Sequence, residues 1–108
     1  IIQSNAEFFS IYVSNEAAAS SIFHGVADTG KDVTVVGFDS GKTQIDAIKA
    51  GKEAGAVTQS PVKIGYYTVK AAVAAINGAK LPTVIDSGFA WYDQNNIDDA
   101  GIKANLYE

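Results

Sequence analysis

The sequence predicts an α/β domain, a parallel sheet with flanking helices, and three observations carry this. Short β-branched and aromatic runs alternate with amphipathic stretches of helix length along the whole chain. The clearest run, Val33-Thr34-Val35-Val36-Gly37-Phe38, is nearly all apolar, as expected where both faces of a parallel sheet are covered. The resulting order, strand then helix four times over, fits right-handed crossovers between parallel neighbours.

Each element has a local reason. Ile1-Ile2-Gln3-Ser4-Asn5 reads as the end of a helix, and the absence of an initiator Met before it predicts a chain cut inside an element. Phe8 to Val13 is short, aromatic and β-branched, a buried strand closed by Ser14 and Asn15. From Glu16 to Thr29, Ala18, Ala19, Ile22, Phe23 and Val26 recur at three- and four-residue spacing, an amphipathic helix that Gly30 stops. After the Val33–Phe38 strand, Ser40-Gly41-Lys42 leads into a short helix bearing Ile45 and Ile48 and stopped by Gly51. A third strand covers about Ala54 to Thr58. Pro61 suits the first turn of a longer helix, where a missing N–H costs nothing. In that helix Val62, Tyr66, Val69, Val73 and Ile76 form one apolar stripe, and Asn77-Gly78 ends it. A fourth strand is expected over Val84 to Trp91, with Gly88 as a weak point, and Asp98 and Asp99 sit at the start of a last helix, where negative charge opposes the dipole favourably.

Composition excludes much. The 108 residues fit one domain by length, and 47% hydrophobic residues are enough for a packed core. No apolar run approaches the roughly 18 residues of a membrane span. Eight Lys, no Arg and a net charge of −4 argue against nucleic acid as a partner, because phosphate contacts want a basic surface. Without Cys there is no disulfide framework, thiol nucleophile or Cys-based zinc site.

Several local signals are weak. Gly37 to Thr43 ends in Gly-Lys-Thr after a strand, but only three residues separate its glycines where a phosphate-binding loop needs four. Asp93-Gln94-Asn95-Asn96-Ile97-Asp98 lacks the oxygen ligand, glycine and distal carboxylate of a calcium loop, having Ile97, Asp98 and Ala104 in those places. Asp39 would suit a phosphoacceptor, but the first strand ends with one acid, Glu16, rather than an acidic pair. His24, the only histidine, reads as a partly exposed helix residue with no second ligand nearby. Phe89, Trp91 and Tyr92 could stack on a sugar ring, but alternation in a strand reads first as core and cover. No catalytic residue, metal site or cofactor is expected.

What remains is one sheet edge. In parallel α/β sheets ligands bind beyond the carboxyl ends of the strands, and three successive ends here carry Ser14-Asn15, Phe38-Asp39 and Thr58-Gln59. Each residue alone reads as a turn or cap. Together they offer the planar amide and carboxylate groups that grip paired hydroxyls.

These residues resemble a known family. Ile11-Tyr12-Val13-Ser14-Asn15-Glu16, Val33 to Asp39, Val57-Thr58-Gln59-Ser60-Pro61 with Ile64-Gly65-Tyr66, and Ile85-Asp86-Ser87-Gly88 together resemble the ribose-type periplasmic sugar-binding proteins of ABC transporters. The resemblance covers essentially the whole chain and implies the C-terminal segment of a two-lobe fold. By it, residues 1–60 would be a segment of the C-terminal lobe. Residues 61–86 would be a hinge crossing whose helix packs on the absent N-terminal lobe, and 87–108 the return strand and tail. Asn15 would hydrogen-bond sugar hydroxyls, Asp39 would accept from two adjacent hydroxyls, and Gln59 would supply an amide beside the hinge. The resemblance further implies a monosaccharide ligand, a membrane permease as partner, a periplasmic or extracytoplasmic location and no enzymatic activity. The aromatic and arginine contacts of relatives lie mainly outside this segment, so it would hold about half a site. With its stripe uncovered, the chain is expected to self-associate. The alternative is the effector-binding segment of a lac-repressor-like regulator, which shares the Asn and Asp strand ends.

Overall fold

The computed structural model describes residues 2–5, 7 and 9–107. Its elements are β1 (Ser10–Tyr12), α1 (Glu16–Thr29), β2 (Thr34–Phe38), α2 (Lys42–Lys49), β3 (Gly55–Gln59), α3 (Pro61–Ile76), β4 (Phe89–Tyr92) and α4 (Ala100–Lys103). The strands form one sheet in the order β1-β2-β3-β4. β1, β2 and β3 run parallel, with Tyr12 opposite Val36 and Phe38 opposite Val57.

β4 departs from the all-parallel expectation. It pairs antiparallel with β3, Gln59 opposite Phe89 and Ala56 opposite Tyr92. A parallel crossover needs a helix that packs back along the sheet, and α3 does not: none of its residues is buried. Its 16 residues, about 24 Å of helix, lead away from the end of β3. Residues 81–87 return beside it, Leu81, Pro82 and Ile85 facing the same hollow as Ile64, Tyr67 and Ala71. The chain re-enters the sheet where it left, so β4 runs backwards. The fourth strand is also shorter than the expected Val84–Trp91: Gly88 has φ +80° and its N–H is held by Asp86 Oδ1 at 2.8 Å, a turn that delays the strand until Phe89. At the other end, Phe8 of the expected first strand lies outside the described residues, as does Ile1 of the expected helix end.

One face of the sheet carries the core. Val13 and Val35 pack with Ala19 of α1, and Ile11, Ile22, Phe23 and Val26 flank them. Ala56 and Tyr92 pack with Ile45 and Ile48 of α2 and with Ile97, with Ile102 and Leu106 alongside. The alternate residues point to the opposite face, which is open: Tyr12, Phe89 and Trp91 are all exposed there, and the Trp91 ring lies where a side chain on Gly55 would stand. The apolar stripe of α3 is bare as well, with Val62, Tyr66, Val69, Val73 and Ile76 each more than half exposed. A radius of gyration of 17.4 Å, against about 13 Å for a compact chain of this length, records the projecting helix.

Candidate functional site

Because β1, β2 and β3 are adjacent and parallel, their carboxyl ends lie along one edge, and that edge carries Asn15, Asp39 and Gln59. Asn15 is exposed and extended, and its side-chain oxygen accepts from Ala18 N–H at 2.9 Å as the N-cap of α1. One lone pair of the oxygen is given to the helix, which leaves the Nδ2 amino group and the second lone pair to meet a ligand. Asn15 is therefore both cap and candidate contact.

Asp39 and Gln59 are brought into direct contact. Gln59 Nε2 donates to Asp39 Oδ1 at 2.8 Å. The Asp39 backbone is the only non-glycine among the described residues with positive φ, at 79°, a conformation that an L-residue adopts at a cost of about 1–3 kcal/mol when the surroundings enforce it. Two hydrogen bonds enforce it here: Asp39 N–H donates to Val57 C=O at 2.8 Å, and Asp39 C=O accepts from the Tyr92 hydroxyl at 2.7 Å. Tyr92 is fully buried, and burial together with the nearby Glu53 carboxyl pushes its phenol up, so it stays a hydroxyl donor.

Beneath the ends of β2 and β3 lies a layer of hydrogen-bonded hydroxyls. Ser40 Oγ and Thr58 Oγ1 lie 2.7 Å apart, and both reach Asn105 C=O at 3.2 Å. Tyr107 N–H donates to Ser40 C=O. The tail thus laces the ends of β2 and β3 together below Asp39 and Gln59. Glu16, next to Asn15, reaches across to α2 and accepts from Gly41 N–H at 3.1 Å and from Gln44 N–H at 3.4 Å. A methyl group on Gly41 would come within 2.6 Å of that carboxylate.

Tyr92, Glu16 and the tail are parts of the site that the linear pattern did not assign. Tyr92 appeared only as one of three alternating aromatics, and the structure divides these: Tyr92 faces the core, Phe89 and Trp91 the open side. Glu16 beside a cap residue was a visible signal, but its target 28 residues away was not. His24 is exposed, with Nδ1 2.8 Å from Ser20 C=O within its own helix. Asp93 forms a turn, accepting from Asn95 N–H and from the Trp91 indole N–H, bonds that hold its carboxyl below the usual range. Among the described residues no group of three or more His, Cys, Asp or Glu side chains could hold a metal ion.

The periplasmic binding protein domain matches residues 1–80 of the chain. The chain belongs to this family. Among its relatives is the ribose import binding protein RbsB of Bacillus subtilis, 28% identical over 87 residues, which are 81% of this chain and 28% of that protein. A solute binding protein of an ABC transporter from Agrobacterium vitis, bound with alpha-D-tagatopyranose, superposes with a TM-score of 0.89 at 29% identity, over 98% of this chain and 36% of its own. A protein from Brachyspira murdochii described as an ABC transporter, LacI family transcriptional regulator, superposes with a TM-score of 0.81 at 39% identity, over 93% and 35%. The chain therefore spans about a third of the length of these family members.

Proposed function

We propose that this chain is the C-terminal segment of a monosaccharide receptor that serves an ABC importer outside the cytoplasm. The observation that carries this is the meeting of Asp39 and Gln59 at the strand-end edge, with Asn15 on the same edge after the neighbouring β1. A sugar presents adjacent hydroxyls that both donate and accept. Asp39 accepts from two of them, the Gln59 amide and the Asn15 amino group complete the set, and a bond to the charged carboxylate contributes about 1.5–3 kcal/mol. The sugars in the descriptions of relatives, ribose and tagatose, support the same ligand class.

The bare apolar surfaces fit a segment of a larger receptor. In this reading residues 1–60 belong to one lobe, 61–86 cross a hinge so that α3 packs on a second lobe, and 87–108 return. Ligand closes the lobes only through contacts that differ between open and closed states. The 108 residues alone would self-associate through α3. A permease is the downstream partner, and no turnover is assigned to the site.

The test is calorimetric titration of the intact protein with a panel of pentoses and hexoses. Saturable binding of one or a few, lost in Asp39→Ala, supports the reading; a flat response to all of them overturns it. The Brachyspira relative favours a second reading, the effector-binding segment of a transcription regulator. Sugar-dependent binding of the intact protein to operator DNA would select it.

A further inference from the structure

Beneath Phe38, on the core side of β2, lies a buried polar group that the ligand reading does not use. Gln44 is fully buried and Glu53 is 3% exposed. Both carboxyl oxygens of Glu53 and the Oε1 of Gln44 lack any hydrogen-bond partner. These oxygens are neighbours, because Gln44 Oε1 and Glu53 Oε1 both occupy the space that a side chain on Gly37 would fill. Buried acceptors left unpaired are costly, and two facing oxygens more so.

The orientation of Gln44 is fixed by its amino group. Nε2 donates to Glu16 Oε2 at 2.5 Å and to Phe38 C=O at 2.7 Å. Turning the amide over would set Oε1 against that carboxylate and that carbonyl, so Oε1 must face Glu53. A hydrogen on Glu53 would pair one of its oxygens with Gln44 Oε1, and only Glu53 can carry it.

We propose that Glu53 is held as a neutral carboxylic acid that donates to Gln44 Oε1, forming a proton-dependent clamp between the β3 entry, α2 and the end of β2. The groups around it favour that state. α1 contributes the anionic Glu16 carboxylate, β4 the neutral Tyr92 phenol, α2 the uncharged Gln44, and β2 the backbone at Gly37. Burial and the Glu16 charge raise the Glu53 carboxyl to about 8. Through Gln44 the clamp holds Phe38 C=O, one residue before Asp39. Losing the proton therefore loosens the strained turn.

The sign follows from proton binding. The native chain keeps a proton that the unfolded chain releases near 4.5, so stability is fully present below that pH and is lost as pH rises to about 8. In this window the folded-to-unfolded ratio falls by up to about tenfold per pH unit. Glu53→Gln keeps a donor to Gln44 without a titrating proton, so the slope attributable to this residue should vanish.

The experiment is urea unfolding of the purified protein and of Glu53→Gln across pH 5–9, paired with infrared detection of a protonated carboxylic acid at pH 6.5. The expected result is a stability difference between the two that changes with pH across the window, and a carboxylic acid band that Glu53→Gln removes. Parallel pH profiles without that band would overturn the clamp. So would selective stabilisation of the unsubstituted protein by an added cation, because an ion rather than a proton would then fill the gap. If Glu53→Gln does not fold, a carbon-13 carboxyl titration of Glu53 in the unsubstituted protein decides, and a midpoint in the ordinary range sinks the proposal. These measurements use no sugar, so they stand or fall separately from the ligand reading. Where sugar binds, its affinity should weaken above pH 8 in the unsubstituted protein and hold in Glu53→Gln.

Discussion

The side chain of Gln59, at the end of β3, donates to the carboxylate of Asp39, at the end of β2, across 2.8 Å. The bond joins two strand ends 20 residues apart and aligns an amide with a carboxylate before any ligand arrives. Preformed geometry of this kind lowers the ordering cost of binding.

Replacing Gln59 by Ala should weaken monosaccharide binding by about tenfold, since one hydrogen bond to a charged group and the alignment of Asp39 are lost together. Asp39→Asn should weaken it more, because the paired acceptor oxygens become one acceptor and one donor. Calorimetry ranks the two, and the reverse order would mean that Asp39 is not the principal acceptor.

Asp39 has φ +79°, where glycine is at ease. Asp39→Gly should therefore be more stable than Asp39→Ala by about 1 kcal/mol, although both lose binding. Urea midpoints measured side by side test this, and equal midpoints would show that the turn stores no strain.

Tyr92→Phe removes the hydroxyl that holds Asp39 C=O at 2.7 Å and leaves a part-buried carbonyl unpaired. The expected cost is about 1–3 kcal/mol in unfolding free energy, with a loss of sugar affinity beyond that of core substitutions of similar cost. A control such as Ile48→Val should lower stability without shifting affinity. Were both variants to bind alike, Tyr92 would be packing only.

Gly41→Ala should destabilise the chain, because the added methyl meets the Glu16 carboxylate at 2.6 Å and displaces it from the start of α2. Thermal unfolding reads the loss. The double variant Glu16→Ala, Gly41→Ala should be less destabilised than the sum of its parts, as expected of residues in contact.

Val69→Lys together with Val73→Lys places charge on the bare face of α3, where the parent residues are 65% and 53% exposed. Sedimentation of the 108-residue chain should shift from a concentration-dependent distribution to a monomer. A parent chain already monomeric at high concentration would remove self-association from the reading.

The sheet, the order of elements and α1 to its last residue were legible because each rests on local pattern: periodicity, a cap and a stop. Asn15, Asp39 and Gln59 were legible as an edge because parallel order alone places them there. Direct contact between Asp39 and Gln59 was not, since it depends on the β2–β3 register. β4 misled because alternation shows that a strand exists but not which way it runs; direction was set by where α3 goes. The roles of Tyr92 and Glu16 were hidden for one shared reason. Their partners lie 53 and 28 residues away and are chosen by packing, which no spacing along the chain encodes.

Trp91 is the sole tryptophan of the chain, its ring laid over Gly55 on the open face and its indole N–H tied to Asp93 at 2.9 Å. So fixed, it is a built-in optical reporter. Its emission should shift to the blue and become harder to quench with iodide whenever something covers that face, whether the second lobe of the proposed receptor or another chain.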